Sequence, residues 1–268
     1  MSQLTNHKSA EKNHLLDNKP AKLFIVLGAF FVCNAIIAEF IGVKIFAFEQ
    51  TVGIHPLNWD LFGHKGALSL SAGVLLWPVV FLMTDIINEY YGKRGVKMLS
   101  YIGVSMISYA FFMIYGAIHL VPADFWVGSY TEQGVPDMQT AFATIFGQGA
   151  WIIVASIIAF LVGQIIDAMI FHQLRKITNE EKVWLRATGS TVVSQFIDSF
   201  LVLYIAFVLG PPQWPMSLFL AVGIVNYSYK FLVAVLLTPL IYLAHHLIDN
   251  YLGKEVAMAM KKRASLEG

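Results

Sequence analysis

The stretch Thr84-Asp85-Ile86-Ile87-Asn88-Glu89-Tyr90-Tyr91-Gly92-Lys93-Arg94-Gly95 closes a long apolar run in a chain that holds several such runs. Asp85, Asn88 and Glu89 stand at i, i+3 and i+4 and so share one helix face. Two carboxylates and an amide are expensive in hydrocarbon and mark a functional face by default. Gly92 followed by Lys93 and Arg94 is what a helix shows where it meets a cytoplasmic loop. The pattern predicts a polytopic membrane protein with a polar site between its helices.

Composition agrees. Of 268 residues, 57% are hydrophobic and only 13% charged, with mean hydropathy +0.64. Soluble domains carry roughly 25% charged residues. The net charge of +1 excludes an electrostatic case for nucleic acid or for an acidic partner. Cys33 stands alone, so no intrachain disulfide forms; lying in an apolar run, it reads as a buried, inert thiol. The first 22 residues are polar and Lys-containing, and no small-residue cleavage site follows the first apolar run. That run reads as a retained helix and not as a signal peptide.

Crossing the hydrocarbon core takes about 20 apolar residues. Six windows qualify: 23–43, 66–87, 96–120, 148–171, 188–209 and 216–243. The expected organisation is an N-terminal tail over 1–22, a six-helix membrane domain over 23–245 and a C-terminal tail over 246–268. Fifteen of the Lys and Arg residues then fall on one side, in the two tails and in the loops around 93–97 and 175–186. The other side has only Lys44 and Lys65. The bias puts both termini in the cytoplasm. The long outer loop, 121–147, reads either as a short interfacial helix or as a plain connection anchored by Trp126 and Tyr130.

The apolar spans carry further polar residues. Asn34 suits either a bond to a neighbouring helix or contact with a ligand. Glu39 and Lys44 approach the outer interface, where they can snorkel. Asp85 and Glu89 could pair with nearby basic residues, Asp85 being the better candidate. The fourth and fifth spans share a pattern, Gln164-x-x-Asp167 and Gln195-x-x-Asp198, which puts each Gln and Asp on one face. Lys230 lies about midway along the sixth span, four residues beyond Asn226. An ammonium at that depth needs a carboxylate; Asp198 is the first candidate and Glu39 the second. A purely structural pair that fixes helix register is the competing reading.

This inventory of acceptors, amides, one cation and many aromatic rings suits a flat, polar heterocycle. A carboxylate can accept two adjacent N–H groups from its edge, and an aromatic ring can stack on its face. No phosphate-binding Gly-rich loop, His-Glu-x-x-His site, Cys cluster or Gly-x-Ser-x-Gly elbow occurs. The adjacent His245 and His246 read as interfacial. No enzyme chemistry and no cofactor are expected.

The ordered set Thr84, Asp85, Glu89 and Gly92, then Gln164 and Asp167, then Trp184, Arg186, Ser190, Gln195 and Asp198, then Lys230, Thr238, Pro239 and Tyr242, resembles the queuosine precursor transporters, also called the vitamin uptake transporter family. The likeness covers about residues 23–245. It implies import of 7-cyano-7-deazaguanine and 7-aminomethyl-7-deazaguanine across a bacterial inner membrane, for salvage of the tRNA modification queuosine. The fold would be all-α, with six transmembrane helices, like the substrate-binding subunits of energy-coupling-factor transporters. Asn34, Glu89, Gln164, Asp167, Gln195, Asp198, Asn226 and Lys230 would line the substrate, while Asp85 and Arg186 would form a gate or structural network. The partners would be the deazapurine and the bilayer, without direct nucleic acid binding; a homodimer is compatible. A binding subunit served by a separate motor, or an intramembrane enzyme, are the alternatives.

Overall fold

The computed structural model describes residues 18–147, 150–178, 183–211 and 213–266. The polar tail up to residue 17, with Lys8 and Lys12, lies outside the described residues, as do Lys182, Pro212 and the last two residues. The chain is an all-α membrane protein. Five helical stretches are long and apolar enough to cross a bilayer: Lys19–Ile41, Ala72–Ile118, Met138–Thr178, Trp184–Leu209 and Met216–Leu252.

Helix α1 (Lys19–Ile41) starts where the Asn18 side chain accepts from the Ala21 N–H at 3.3 Å, with Pro20 in its first turn. Gly28, Phe31, Ala35 and Ala38 recur at helical spacing and are buried, while Val26, Phe30 and Ile37 face outward. Both faces are apolar, as lipid requires. Cys33 belongs to the outward face and is exposed, not buried as the sequence suggested. In an all-apolar run the protein-facing and lipid-facing sides look alike.

Between α1 and the next long helix the chain forms two small hairpins. Strand β1 (Ile45–Ala47) leads into a single turn, α2 (Phe48–Thr51). Strands β2 (Trp59–Leu61) and β3 (His64–Gly66) pair antiparallel across Phe62 and Gly63, both at positive φ, 53° and 81°. Two such residues make the turn whose twist suits a hairpin. Strand β4 (Ser69–Ser71) returns to pair with β1, so residues 66–71 are extended and not the start of a helix. Glu49 Oε1 holds this cap by accepting the Leu68 N–H at 2.7 Å and the Leu57 N–H at 3.4 Å. Burial opposes the Glu49 charge, but these backbone donors outweigh it and hold its carboxyl below the usual range.

Helix α3 (Trp77–Ile118) is broken at Gly92, whose φ and ψ are 65° and −173°. The contacts with α1 show what the break does. Just before α3, in the turn Ala72–Leu75, Gly73 lies against the Ala38 carbonyl, near the far end of α1. At the break, the Tyr91 and Phe24 rings are 4.9 Å apart and the Tyr91 hydroxyl donates to the Pro20 carbonyl at 2.8 Å, at the near end. Beyond it Gly95 faces Phe24, Gly103 faces Phe31, and Phe111 meets Phe40 at 5.9 Å. The second arm therefore runs back along α1, and the windows 66–87 and 96–120 correspond to two antiparallel arms. The backbone conformation at Gly92 is one that only glycine adopts readily. Gly92→Ala is expected to cost about 1–3 kcal/mol, read as a lower melting temperature of the purified protein.

The 121–147 connection holds α4 (Asp124–Val127) and α5 (Met138–Phe146), so a short helix is present there. Asp137 starts α5 by accepting the Thr140 N–H and Oγ1–H at 3.0 and 2.7 Å. Helices α6 (Ala150–Thr178) and α7 (Val183–Leu203) form an antiparallel pair; α7 ends in a π-helical turn, Tyr204–Leu209. Helix α8 (Met216–Leu252) runs through Pro239 to Leu252, nine residues beyond the expected span, and is capped by Gly253. A last helix, α9 (Lys254–Leu266), folds back onto α3. It contributes Lys261, whose Nζ donates to Asp249 at 2.8 Å and stands 4.9 Å from the Tyr90 ring centre.

Candidate functional site

A polar column threads the helices where α3, α6, α7 and α8 meet. Its backbone is one face of α7, where Arg186, Ser190, Ser194 and Asp198 follow at intervals of four. At 1.5 Å per residue that stripe is about 18 Å long, more than half a hydrocarbon core. All four groups meet polar partners from other helices.

At the basic end, Arg186 Nη2 donates to Glu89 Oε1 at 2.7 Å, and Arg175 approaches the same oxygen at 3.6 Å. Arg186, Arg175 and Glu89 are 1%, 3% and 2% exposed, so this is a fully desolvated charge cluster. Arg175 also donates to the Glu89 carbonyl and, at 2.6 Å, to the Lys261 carbonyl, tying α9 to it. The basic partners go to Glu89 and not to Asp85, the reverse of the sequence expectation. Asp85 accepts hydroxyl protons instead, from Ser190 at 3.2 Å and Thr191 at 3.0 Å. His245, expected at an interface, is buried against Tyr90, with ring centres 5.5 Å apart.

One turn further, Asp167 accepts from Ser194 at 2.9 Å. Thr84 donates to Gln164 Oε1, and the Asn88 amide donates to the Ala168 carbonyl at 3.3 Å. Gln164 Nε2, both side-chain polar atoms of Gln195, and Asp167 Oδ2 have no protein hydrogen-bond partner, although these side chains are at most 1% exposed. Each such atom costs about 1–3 kcal/mol and calls for a reason.

Beyond these, Lys230 Nζ donates to Asp198 Oδ2 at 2.7 Å, the pairing its depth requires. Asp198 packs across Gly163, where an added Cβ would lie 3.5 Å from the Asp198 Cβ and 3.4 Å from the Phe81 ring. Glu39 lies nearest the hairpin cap and accepts from Ser156 at 3.1 Å. Two predicted residues join less firmly. Asn34 spends its amide on the Phe30 carbonyl of its own helix at 2.8 Å. Asn226 is half-buried one turn before Lys230.

The structure thus sets Glu89, Gln164, Asp167, Asp198 and Lys230 along one column with Asp85 and Arg186, and buries Gln195 on the same helix as Asp198. The sequence pattern did not single out the hydroxyls Thr84, Ser190, Thr191 and Ser194 as site groups. The spacing of Ser190 and Ser194 from Arg186 and Asp198 carries the signal for those two, but Ser and Thr are cheap in a membrane helix and raise no alarm. A cleft of about 10 Å³ opens onto Asp85 and Thr191 between Pro78, Leu82, Leu237 and Ile241. That is room for one water and no more. A much larger groove of about 530 Å³ lies elsewhere, on Leu23, Ile25, Val26 and Tyr251. It is almost entirely apolar, with Lys22 its one charged residue, and has none of the carboxylates or amides of the column. Among the described residues no group of three or more His, Cys, Asp or Glu could hold a metal ion.

A family model described as "Putative vitamin uptake transporter" matches residues 71–244. The chain is 31% identical over 192 residues to a protein of Bacillus subtilis (strain 168) named "Probable queuosine precursor transporter", covering 71% of this chain and 76% of that one. It is 26% identical over 166 residues to the "Queuosine precursor transporter" of Escherichia coli (strain K12), covering 61% and 66% of the two chains. A third relative, a "Probable queuosine precursor transporter" of Haemophilus influenzae, is 22% identical over 195 residues, or 71% and 73% of the two. No solved structure matches the chain.

Proposed function

The chain belongs to the vitamin uptake transporter family, and on that premise we propose that it carries 7-deazaguanine precursors of queuosine, 7-cyano-7-deazaguanine and 7-aminomethyl-7-deazaguanine, across a bacterial inner membrane. The observation that carries this reading is the set of buried polar atoms without a protein partner at Gln164, Asp167 and Gln195. Deazaguanine offers a ring N–H beside an exocyclic amine, which one carboxylate can accept together, and a carbonyl that an amide N–H can meet. Asp167 and Asp85 supply carboxylates within one turn of each other along α7, through Ser194, Ser190 and Thr191. Gln164 and Gln195 complete the ring edge, while Asp198, Lys230 and Asn226 line the approach from the hairpin end, with Asn34 on α1. Glu89, held by Arg186 and Arg175, acts as the closure at the basic end and not as a base-reading group.

A purine-sized ligand does not fit a cleft of about 10 Å³, so the helices around Asp85 part to admit it. In this reading the two arms of α3 cross separately, which makes six crossings of the five apolar stretches. The Lys and Arg bias orients both termini to the cytoplasm.

The test is uptake of labelled 7-aminomethyl-7-deazaguanine by cells that neither make it nor import it, with and without this chain. Chain-dependent uptake that restores queuosine in tRNA is expected. Confirmed membrane expression without uptake would count against the substrate. Uptake by the purified chain in liposomes would remove the need for a separate motor.

A further inference from the structure

Three fully buried hydroxyls in the column share one geometry. Thr84 Oγ1 reaches the Val80 carbonyl of its own helix at 3.1 Å and Gln164 Oε1 across the interface. Ser190 Oγ reaches its own Ala187 carbonyl at 3.1 Å and Asp85 Oδ1 at 3.2 Å. Ser194 Oγ reaches its own Thr191 carbonyl at 3.1 Å and Asp167 Oδ1 at 2.9 Å. Half-buried Ser156 repeats the pattern toward the hairpin end, between its own Ile153 carbonyl at 3.0 Å and Glu39 Oε2 at 3.1 Å. A hydroxyl has one hydrogen to give. Each of these oxygens already stands within reach of two acceptors, so turning the O–H about the Cβ–Oγ bond switches partner without moving a heavy atom.

We propose that Thr84, Ser190 and Ser194 are exchangeable donors: they cover Gln164 Oε1, Asp85 Oδ1 and Asp167 Oδ1 while the site is empty, and turn back to their own helix carbonyls when the N–H groups of a bound base take those three acceptors. The proposal rests on the reading of the column as a base site. A carboxylate is the stronger acceptor, so in the empty site Ser190 and Ser194 point at Asp85 and Asp167. Without such cover, Asp167 would stay desolvated and unbonded, and Asp85 would keep only Thr191, through half of each transport cycle. With it, the ligand displaces a bond that is recovered in weaker form on the backbone. The site is thereby kept from binding so tightly that release fails, a balance every carrier needs.

The consequence runs against intuition. Removing such a hydroxyl takes away a competitor of the ligand, so binding tightens while the empty protein becomes less stable. Ser190→Ala and Ser194→Ala are each expected to lower the Kd for 7-aminomethyl-7-deazaguanine by roughly three- to tenfold, the difference between a charge-assisted and a neutral hydrogen bond. The melting temperature of the ligand-free variants falls, and the upward shift caused by saturating ligand grows. Thr84→Val has the shape of the original side chain and guards against a folding defect in the serine variants; it is expected to tighten binding in the same sense, and Thr84→Ser to reverse the gain. Calorimetry on the full chain in nanodiscs reads all of these. If the hydroxyls only glue helices together, the variants lose stability while affinity is unchanged or weaker, and the proposal is overturned. If the unaltered protein binds the base and the variants are no tighter, the exchange fails and the base site stands. If the unaltered protein does not bind the base, the site reading fails and the exchange with it.

Discussion

Lys230→Ala is expected to cost about 3–5 kcal/mol of stability and to abolish uptake. The ammonium lies 2.7 Å from Asp198 Oδ2, and the two side chains are 9% and 13% exposed. Removing it strands a carboxylate among apolar helices, where the loss of its partner outweighs the modest net value of the pair. The double variant Lys230→Met, Asp198→Leu separates structure from function, because replacing both charges by apolar groups of similar size is near neutral. Its melting temperature should return close to that of the unaltered protein while uptake stays lost. Recovery of uptake along with stability would reduce the pair to a register-fixing contact. Asp198→Asn, with uptake followed against pH, asks a separate question: an unchanged rate and pH profile would exclude Asp198 from any coupling to protons.

Arg186→Ala is expected to be nearly as damaging, by about 3 kcal/mol, because Glu89 then keeps only Arg175 at 3.6 Å in place of a bond of 2.7 Å. Arg175→Ala should cost less in the same thermal melts. Arg186→Lys should recover only part of the loss, since an ammonium is a point charge and cannot reproduce the planar fork of a guanidinium. Glu89 lies three residues before the reversal at Gly92, so the cluster ties α7 and α6 to the base of the hairpin made by the two arms of α3. Uptake is expected to fall with stability. A melting temperature for Arg186→Ala within a degree or two of the unaltered protein would mean that Arg175 takes over the charge of Glu89, and that closure at this end does not depend on Arg186.

Much of the column is legible in the order of the amino acids. Depth makes Asp198 the first candidate for Lys230 and Glu39 the second, because a buried ammonium has few carboxylates within reach; the structure chooses Asp198. The Gln164-x-x-Asp167 and Gln195-x-x-Asp198 pairs can be assigned to one face each by helical periodicity. The choice between Asp85 and Glu89 as the ion-paired carboxylate cannot. They are four residues apart on one face, and a shift of one turn in how α7 packs on α3 would exchange their partners. The exposed Cys33 escapes for a related reason: α1 is apolar all round, so periodicity carries no sign of which side meets protein.

Composition, the length of the apolar runs and the rule that charge in hydrocarbon needs a partner are sufficient for a multi-pass helical membrane protein with acidic and amide groups among its helices. These are properties of the chain against its solvent, and they need no knowledge of neighbours. That it is a transporter came from the ordered motifs of the family. Distances between helices decide the rest: which carboxylate takes arginine and which takes serine, how Gly92 turns one long helix into two opposed arms, and how α9 returns to touch Tyr90 and Arg175. Hydrogen bonds and ion pairs change partners over a displacement of an ångström or two, far finer than the register that a hydrophobic pattern can convey.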